Sequence, residues 1–365
     1  MSLFDTKKNQ AICVLPWIHE YKTIRGQVAP CCLGDVLQGN ESLQLVREQM
    51  LQGIKPRPCT KCYTKESESS YSPRIHETID WLKKFGEPDI DHPELQYIDV
   101  RYDPTCNLKC KTCGPQSSTL WQKEKKIKIP VNQANMDYLA TVDKSKLKKV
   151  YLAGGEPTYI KGYLEFLEKL HDANPNCEVI INTNLKNLPD DWKKIISVFP
   201  NLTIVCSCDA IGTLGRYMRY PLQWEQFEQN VKFVSEKANF FQFNLVASNL
   251  NSHKLFETCS WMKTYSRNIN ISILDHPACF SEQAVPYSVR EIYIENIAKL
   301  QKFPVSVHYA VNFRNKIQHL LSKYHNAVYD ESLHKELQTE ISDQDSHRSL
   351  QLSEVDPLLQ DWIYR

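Results

Sequence analysis

Three cysteines in one short loop are the residues whose chemistry is most readily assigned. Cys106, Cys110 and Cys113 form a C-x-x-x-C-x-x-C pattern directly after the alternating apolar run 95–102, which predicts a strand. Thiolates crowded this closely suit an iron–sulfur cluster or zinc. A structural zinc site takes four protein ligands, whereas this loop supplies three and leaves a metal position open. A zinc knuckle or redox-inert thiols are the alternative interpretation.

A glycine-rich turn follows a second predicted strand. Gly154, Gly155 and Glu156 precede a proline after residues 149–153. Because glycine has no side chain, the backbone of such a turn can approach a ligand closely. Together with the cysteine loop, the turn resembles the radical S-adenosylmethionine (SAM) superfamily. The resemblance implies that the three cysteines hold a 4Fe-4S cluster, that SAM chelates the fourth iron, and that the turn holds the amino group of SAM. A plain tight turn is the alternative.

A second cysteine group lies within the first ninety residues. It consists of Cys13, one of the adjacent pair Cys31 and Cys32, and the C-x-x-C pair Cys59 and Cys62. A β-hairpin is predicted over residues 18–30, and its two ends bring Cys13 and Cys31 together. Four thiols close a metal site completely, and their spacing does not separate zinc from a 4Fe-4S cluster.

The spacing of this second group resembles the auxiliary-cluster module of the SPASM and twitch subfamilies. The pattern is C-x12-G-x4-C with a later C-x-x-C, and it favours Cys31 over Cys32 as the ligand. The resemblance implies a second, fully ligated 4Fe-4S cluster. In most members of these subfamilies the module follows the barrel, whereas here it comes first.

The composition limits the class of protein. The chain has 365 residues, and 44 Lys and Arg against 43 Asp and Glu leave no electrostatic reason for broad affinity to nucleic acid or membranes. No run approaches the roughly 18 apolar residues of a membrane span, and residues 1–10 lack the core of a signal peptide. The 13 cysteines favour metal or redox use over disulfides in a cytosolic protein. The sequence therefore predicts a cytoplasmic protein.

Alternating strand and helix patterns predict the fold. Strands are expected at residues 97–102, 149–153, 178–182, 203–207, 242–247 and 270–274. Such repeats imply an α/β fold with a parallel sheet, and six of them match the partial (β/α)6 barrel of the superfamily. We expect a cysteine-rich hairpin and helix module over 1–90, the barrel over 91–285 and a helical C-terminal region over 286–365. One helix is expected over 63–86, and a polar connector over 330–345.

Polar side chains follow the later strands, where ligands collect in parallel α/β architectures. Asn184 follows the third strand, and Ser207 and Asp209 lie at the end of the fourth. The resemblance implies contacts from these positions to the ribose or methionine part of SAM, and helix capping explains them equally well. Arg219 can hold the carboxylate of SAM or of a substrate, with a surface salt bridge as the alternative.

These predictions describe a radical SAM enzyme with a second cluster. The resemblance implies an electron donor such as flavodoxin or ferredoxin, and hydrogen abstraction that oxidises a peptide or protein side chain or a small alcohol. Chains with the cysteine module ahead of the barrel also resemble enzymes carried by phages, so a nucleotide or nucleobase substrate is the alternative. A zinc-binding interaction protein and a cluster-binding barrel without turnover stay open.

Overall fold

The computed structural model describes residues 2–68 and 72–365. Its strands are β1 His19–Lys22, β2 Val28–Ala29, β3 Tyr97–Val100, β4 Lys149–Leu152, β5 Glu178–Thr183, β6 Leu202–Ser207, β7 Phe240–Ala247 and β8 Ile269–Ile273. Its α-helices are α1 Leu15–Ile18, α2 Leu43–Leu51, α3 Thr60–Glu68, α4 Pro73–Phe85, α5 Thr119–Glu124, α6 Gln133–Thr141, α7 Tyr163–Ala173, α8 Asp190–Val198, α9 Gly212–Met218, α10 Trp224–Lys237, α11 Leu255–Met262, α12 Tyr287–Ala298, α13 Val307–Asn326, α14 Glu331–Ser346, α15 Leu352–Val355 and α16 Pro357–Tyr364. Short 3-10 helices cover Arg57–Cys59, Lys144–Lys146, Pro157–Tyr159, Ser252–Lys254, Ala278–Phe280, Glu282–Ala284 and Lys299–Lys302.

All six predicted strands are present, as β3 to β8, with bounds that differ from the predictions by a few residues. The α/β class with a parallel sheet is therefore confirmed. Closure of the strands into a partial (β/α)6 barrel stays a prediction. So does the three-part division at residues 90 and 285.

The chain divides into two compact units. The first comprises residues 1–104, 130–181 and 199–201, and the second comprises residues 105–129, 182–198 and 202–365. In the first unit the strand order is β2-β1-β3-β4-β5. Strands β1 and β2 form the predicted antiparallel hairpin, and β1 then pairs in parallel with β3, as β3 does with β4 and β4 with β5.

The helices of the first unit bury an aromatic core that includes Phe4, Trp17 and Trp81. The single helix expected over residues 63–86 is wrong, because α3 ends at Glu68 and α4 begins at Pro73. Ser72 is extended and its hydroxyl accepts a hydrogen bond from the Ile75 amide. A serine cap followed by proline at the first helical position starts a new helix. The periodicity of the apolar residues does not reveal this break.

In the second unit β6, β7 and β8 pair in parallel. Strand β7 alternates strictly between buried and half-buried residues. Its buried side chains, which include Phe243, face α11, and the rings of Phe243 and Trp261 have centroids 5.7 Å apart. One face of this part of the sheet is therefore apolar and covered by helices, as expected for a crossover-connected parallel sheet.

The polar connector expected over residues 330–345 is wrong, because this segment forms the helix α14. The Asp330 side chain caps its first turn, and Leu337 and Ile341 are fully buried. The sequence does not reveal the helix, because Gln344 and Asp345 are polar residues and are nevertheless buried. Leu359, Trp362 and Ile363 of the C-terminal helix α16 are buried. Among residues 2–68 and 72–365, no helix is both long and apolar enough to cross a membrane.

Candidate functional site

The loop that carries Cys106, Cys110 and Cys113 belongs to the second unit, and its backbone is held in place between the cysteines. The Lys109 amide donates to the Tyr220 carbonyl and the Lys111 amide to the Met218 carbonyl, both at 2.7 Å. The Ser118 hydroxyl donates to the Leu108 carbonyl at 2.6 Å, and the Trp121 indole N–H to the Cys110 carbonyl at 3.0 Å. These hydrogen bonds hold the backbone of the loop in place.

The three thiols lie close enough to influence one another. Burial, with smaller contributions from the neighbouring thiols of Cys113 and Cys106, raises the pKa of the Cys110 thiol to about 12. Burial also raises the pKa of Cys113. The guanidinium of Arg219 opposes both shifts. The sequence-predicted Arg219 is therefore a neighbour of the cysteine loop and not a surface residue.

Arg219 is held in position by Asp209. The guanidinium Nη1 donates to Asp209 Oδ2 at 2.7 Å, and Asp209 Oδ1 accepts from the Val246 amide at 3.0 Å. Although burial alone lowers it, the charges of Cys110 and Asp209 raise the pKa of Arg219, so the side chain stays protonated. Its Nε is buried and has no hydrogen-bond partner among the described residues.

Asn184 also lies at the loop. Its side-chain amide donates to Asn107 Oδ1 at 2.8 Å and lies 3.8 Å from the Cys106 sulfur. The Lys186 ammonium donates to the Asn107 carbonyl at 3.0 Å. The Nδ2 of Asn107 is buried and has no hydrogen-bond partner in the part of the chain that the structure describes.

The groups beside the three thiols are of the kind that an anionic iron–sulfur cluster requires. Three clustered thiols are the donors that such clusters use. Buried donors without a protein partner are costly, unless a ligand accepts from them. Asn107 Nδ2 and Arg219 Nε are two such donors beside the thiols. The residues present therefore fit a cluster of this kind, or an anionic group bound to it.

Sequence reasoning missed a buried polar clamp behind the loop. The Lys111 ammonium, between two of the cysteines, pairs with Asp345 of α14 and lies 4.0 Å from the centroid of the Tyr217 ring. Asp345 also accepts from the Tyr217 hydroxyl at 3.1 Å, and the Gln344 side-chain amide donates to the Lys111 carbonyl at 3.1 Å. Burial, followed by the charge of Arg348, lowers the pKa of Lys111 to about 8. No sequence signal links residues so far apart.

A second ion pair lies beside this clamp. The Glu124 carboxylate pairs with Lys109 and lies 3.7 Å from Arg348 Nη2. The Arg348 guanidinium is buried against the rings of Trp121 and Tyr220, 5.0 and 5.8 Å from their centroids. The C-terminal region, which carries no recognisable motif, thus supplies charged groups that pack behind the cysteine loop.

The remaining predicted SAM contacts are placed differently. The Ser207 hydroxyl donates to Asn182 Oδ1 at 3.2 Å and not to the loop. The glycine turn belongs to the first unit, where Gly154 has φ +110° and an added Cβ would lie 2.9 Å from the Asp103 carbonyl oxygen. Buried Glu156 accepts from the amide and hydroxyl of Thr158 at 3.1 and 2.7 Å. Roles for Gly154, Gly155, Glu156 and Ser207 in binding SAM stay predictions.

The N-terminal cysteines line a single cavity in the first unit. Cys13, Cys31, Cys59 and Cys62 all border this space, whose volume is about 90 Å³. Burial raises the pKa of all four thiols, to about 11 for Cys31 and about 12 for Cys59, and nearby cysteines raise the pKa of each of Cys13, Cys31 and Cys59. Four separate positions in the chain thus border one cavity.

Backbone N–H groups near these thiols lower the pKa of three of them. The Leu15 N–H lowers the pKa of Cys13, the Leu33 and Gly34 N–H groups lower that of Cys31, and the Arg74 N–H lowers that of Cys62. The last of these comes from the first turn of α4, whose free N–H groups favour negative charge. The buried Arg74 guanidinium lowers the pKa of both Cys59 and Cys62. Such donors stabilise thiolates.

Cys32 has a different neighbour. Its thiol is hydrogen-bonded to the buried carboxylate of Asp99, which also accepts from Arg101 Nε at 2.8 Å. Burial, followed by the charge of Asp99, raises the pKa of Cys32. A thiol that donates its proton to a carboxylate is a poor metal ligand. Cys32 also borders the cavity, so its contact with Asp99 is what favours Cys31 as the ligand from the adjacent pair.

Within residues 2–68 and 72–365, no three or more Cys, His, Asp or Glu side chains are arranged around a point where a single metal ion would bind. A zinc site requires such convergence, with each sulfur about 2.3 Å from one ion. Cluster cysteines bind separate irons and need not converge. In both groups neighbouring thiols raise the pKa of one another, and the N-terminal group also shares one cavity.

Residues 101–245 match the radical SAM superfamily. This segment includes the cysteine loop, the glycine turn and Arg219, and it carries a radical SAM domain. The superfamily implies a 4Fe-4S cluster and SAM in this domain, and the comparisons indicate an enzyme.

Several relatives and solved structures are similar to this chain. A GTP 3′,8-cyclase of Helicobacter pylori is 30% identical over 186 residues, which are 50% of this chain and 56% of that protein. A GTP 3′,8-cyclase of Nautilia profundicola is 28% identical over 102 residues, 28% of this chain and 31% of that protein. The chain thus spans at most about half the length of these relatives. A crystal structure of Streptococcus suis SuiB bound to S-adenosylmethionine shares 15% identity, covers 70% of this chain and 63% of that chain, and has a TM-score of 0.41.

Proposed function

We propose that this chain, whose residues 101–245 form a radical SAM domain, reductively cleaves SAM and uses the resulting radical to modify a substrate by hydrogen abstraction. The observation that carries the proposal is the match of this segment, together with three coupled thiols beside two unpaired buried donors. Cys106, Cys110 and Cys113 would hold a 4Fe-4S cluster, leaving one iron for SAM. When bound, the reduced cluster and SAM supply a 5′-deoxyadenosyl radical.

The chain's own residues position the reactants. Arg219, fixed by Asp209, offers a charged donor for a carboxylate, and Asn107 offers a second donor. Asn184 orients Asn107 and lies against the Cys106 sulfur. Burial of these groups excludes water, which strengthens each interaction and protects a radical from side reactions. Ser207, Gly154, Gly155 and Glu156 are further candidates for contacts to SAM.

We also propose that the N-terminal cysteines hold a second, fully ligated 4Fe-4S cluster, in a module that resembles the SPASM and twitch modules. Support comes from the cavity that Cys13, Cys31, Cys59 and Cys62 share, and from the backbone N–H groups that lower the pKa of three of these thiols. Hydrogen bonds to sulfur and solvent exposure tune the potential of such clusters. A site with four cysteines has no position for SAM and suits an electron acceptor.

The substrate proposed here is a nucleotide, with the side chain of a peptide or protein or a small alcohol as the other candidate. The relatives named GTP 3′,8-cyclase favour the nucleotide. An electron donor of the flavodoxin or ferredoxin type completes the reaction, and the site of action is proposed to be the cytoplasm.

The test is anaerobic reconstitution with iron and sulfide, followed by incubation with SAM and dithionite. Formation of 5′-deoxyadenosine without added substrate is the expected result, and Cys106→Ala should abolish it. Cys177→Ala, which removes a buried thiol next to β5, is the matched control and should retain the activity. Bound zinc in place of iron, with no 5′-deoxyadenosine, would instead indicate an interaction protein. Bound iron without turnover would indicate a barrel that only binds the cluster.

A further inference from the structure

A row of uncharged polar side chains crosses the sheet of the second unit. Ser207 of β6 lies opposite Asn244 of β7, and Asn244 lies opposite Asn270 of β8. Residues opposite one another in parallel strands share a face of the sheet. Thr203, Gln242 and Ser272 lie on the same face. Along β6, β7 and β8 this face carries no ionisable side chain.

The other face of the same strands is apolar. Phe243, Leu245 and Ile271 are buried there at 1% exposure or less. When the interior of a parallel barrel is filled only by protein, bulky branched apolar residues dominate it. Burying amides without partners is costly, and the amides of this row are only half-buried. Helix α13 contacts part of this face, through Tyr309 to Gln242 and Asn312 to Asn270. The other half-buried amides, Asn182 and Asn244, point to contact with a ligand.

The amides of the row leave hydrogen-bonding groups free. Asn182 accepts from Ser207 at 3.2 Å and Asn244 accepts from Asn270 at 2.7 Å, both through their oxygens. A carboxamide also has two N–H donors. The NH2 groups of Asn182 and Asn244 donate to no other described residue. Asn312, near the start of α13, donates to Asn270 at 3.5 Å and keeps its oxygen free.

The row lies close to the groups that flank the cysteine loop. Asp209, which holds Arg219, is two residues beyond Ser207 and accepts from the Val246 amide. Val246 in turn is two residues beyond Asn244, a step of about 7 Å along a strand. A ligand on the row would therefore lie near Arg219, as a group that reacts with the cofactor must.

We propose that a row of polar side chains, called the amide row, binds the nucleobase of a nucleotide substrate. It consists of the side-chain amides of Asn182, Asn244, Asn270 and Asn312 and the hydroxyl of Ser207. The inference rests on the proposed function and assigns the residues that recognise its substrate. Carboxamides pair with a base edge through a donor and an acceptor at once, which discriminates one base from another. The free donors and the free acceptor of the row match the mixed edge of a base. The lack of charge excludes the row as the phosphate site.

A peptide suits this face less well. Extended peptides bind most simply along the exposed edge of a sheet, through main-chain hydrogen bonds. Asn244 lies on β7, which is paired on both sides by β6 and β8. The row thus offers side chains in the middle of a sheet and no free strand edge at β7.

The experiment measures the binding of guanosine and of GTP to the reconstituted full-length protein by equilibrium dialysis, with ATP and UTP as comparison ligands. Asn244→Leu and Asn312→Leu should each weaken binding by about tenfold or more, because each removes a contact to the base edge. Asn326→Leu is the matched control on α13, since its amide is exposed and donates only to the Ser322 hydroxyl. Asn244→Asp, which keeps the shape and removes the donors, covers the case in which the leucine variant does not fold.

Substrate-free formation of 5′-deoxyadenosine separates this inference from the proposed function. Retention of that activity in every variant, with loss of guanosine and GTP binding only in the row variants, is the expected result. An active wild-type protein that binds none of the nucleotides, or binds them equally well after Asn244→Asp, would overturn the amide row. So would a peptide, and no nucleotide, stimulating 5′-deoxyadenosine formation. Absence of 5′-deoxyadenosine from the wild type would overturn the proposed function itself.

Discussion

The two cysteine groups differ in how the protein surrounds them. In the loop of the second unit, Asn107 Nδ2 and Arg219 Nε are buried donors without a protein partner. In the first unit, backbone N–H groups of Leu15, Leu33 and Arg74 lower the pKa of the thiols themselves. The loop therefore has hydrogen-bonding capacity left for a further ligand, whereas the nearby N–H groups of the N-terminal site act on its own thiols.

The origin of the ligands differs as well. The loop takes all three cysteines from one stretch of chain, so its geometry depends on local backbone contacts to Met218 and Tyr220. The N-terminal group gathers Cys13, Cys31, Cys59 and Cys62 only after the hairpin and helices have packed. Three ligands from one loop suit an open site, whereas four ligands brought together from distant positions suit a closed one.

Removal of all three loop thiols should have the largest effect. Replacing Cys106, Cys110 and Cys113 together by Ala should reduce 5′-deoxyadenosine formation to the background, because no cluster would remain to hold SAM. About half of the iron should remain at the N-terminal site, as two clusters of equal size predict. Iron analysis and product quantification check the outcome. Loss of all iron would mean that the N-terminal group holds none.

The N-terminal site should respond in the opposite way. Cys59→Ala combined with Cys62→Ala should remove about half of the iron and leave SAM cleavage at least partly intact. Cys31→Ser should give the same loss, whereas the matched variant Cys32→Ser should keep the iron because that thiol faces Asp99. Equal iron loss from the two serine variants would contradict the assignment of Cys31.

Arg219→Met should lower the rate of SAM cleavage by about 10–100-fold, the range typical for groups that support a metal site. The guanidinium lies beside Cys110 and Cys113, so the electron paramagnetic resonance signal of the reduced loop cluster with SAM should change as well. Arg219→Lys keeps the charge and should recover part of the rate. A changed rate with an unchanged spectrum would place Arg219 away from the cluster.

The clamp behind the loop should affect stability more than chemistry. Asp345→Asn leaves the Lys111 ammonium buried without its counter-charge, which costs about 3–5 kcal/mol. Asp343→Asn, which breaks the exposed pair with Lys125 on the same helix, should cost about 0–1 kcal/mol. Urea unfolding of the iron-free protein measures both free energies. Equal costs would show that α14 does not anchor the loop.

Much of the fold followed from sequence patterns. Alternation and helical periodicity located β3 to β8, because the sheet buries residues at a spacing that the chain must repeat. The patterns failed where polar residues are buried by partners distant in sequence. The polar sequence of α14 predicts a connector. In the structure Asp345 and Gln344 are hydrogen-bonded to Lys111, a contact that periodicity cannot show.

The candidate sites divide in the same way. The spacing of Cys106, Cys110 and Cys113 pointed to an open cluster site, and structure added Asn107, Lys111 and the clamp around it. Sequence favoured Cys31 only by resemblance, whereas the hydrogen bond from Cys32 to Asp99 provides a physical reason.

The sequence by itself determined the thiols, their spacing and the order of strands, because these are properties of neighbouring residues. Tertiary structure alone decided which polar groups lie beside the thiols and which face of the sheet carries the amide row. Those pairings join residues hundreds of positions apart, such as Lys111 and Asp345, and they depend on packing that no local pattern encodes.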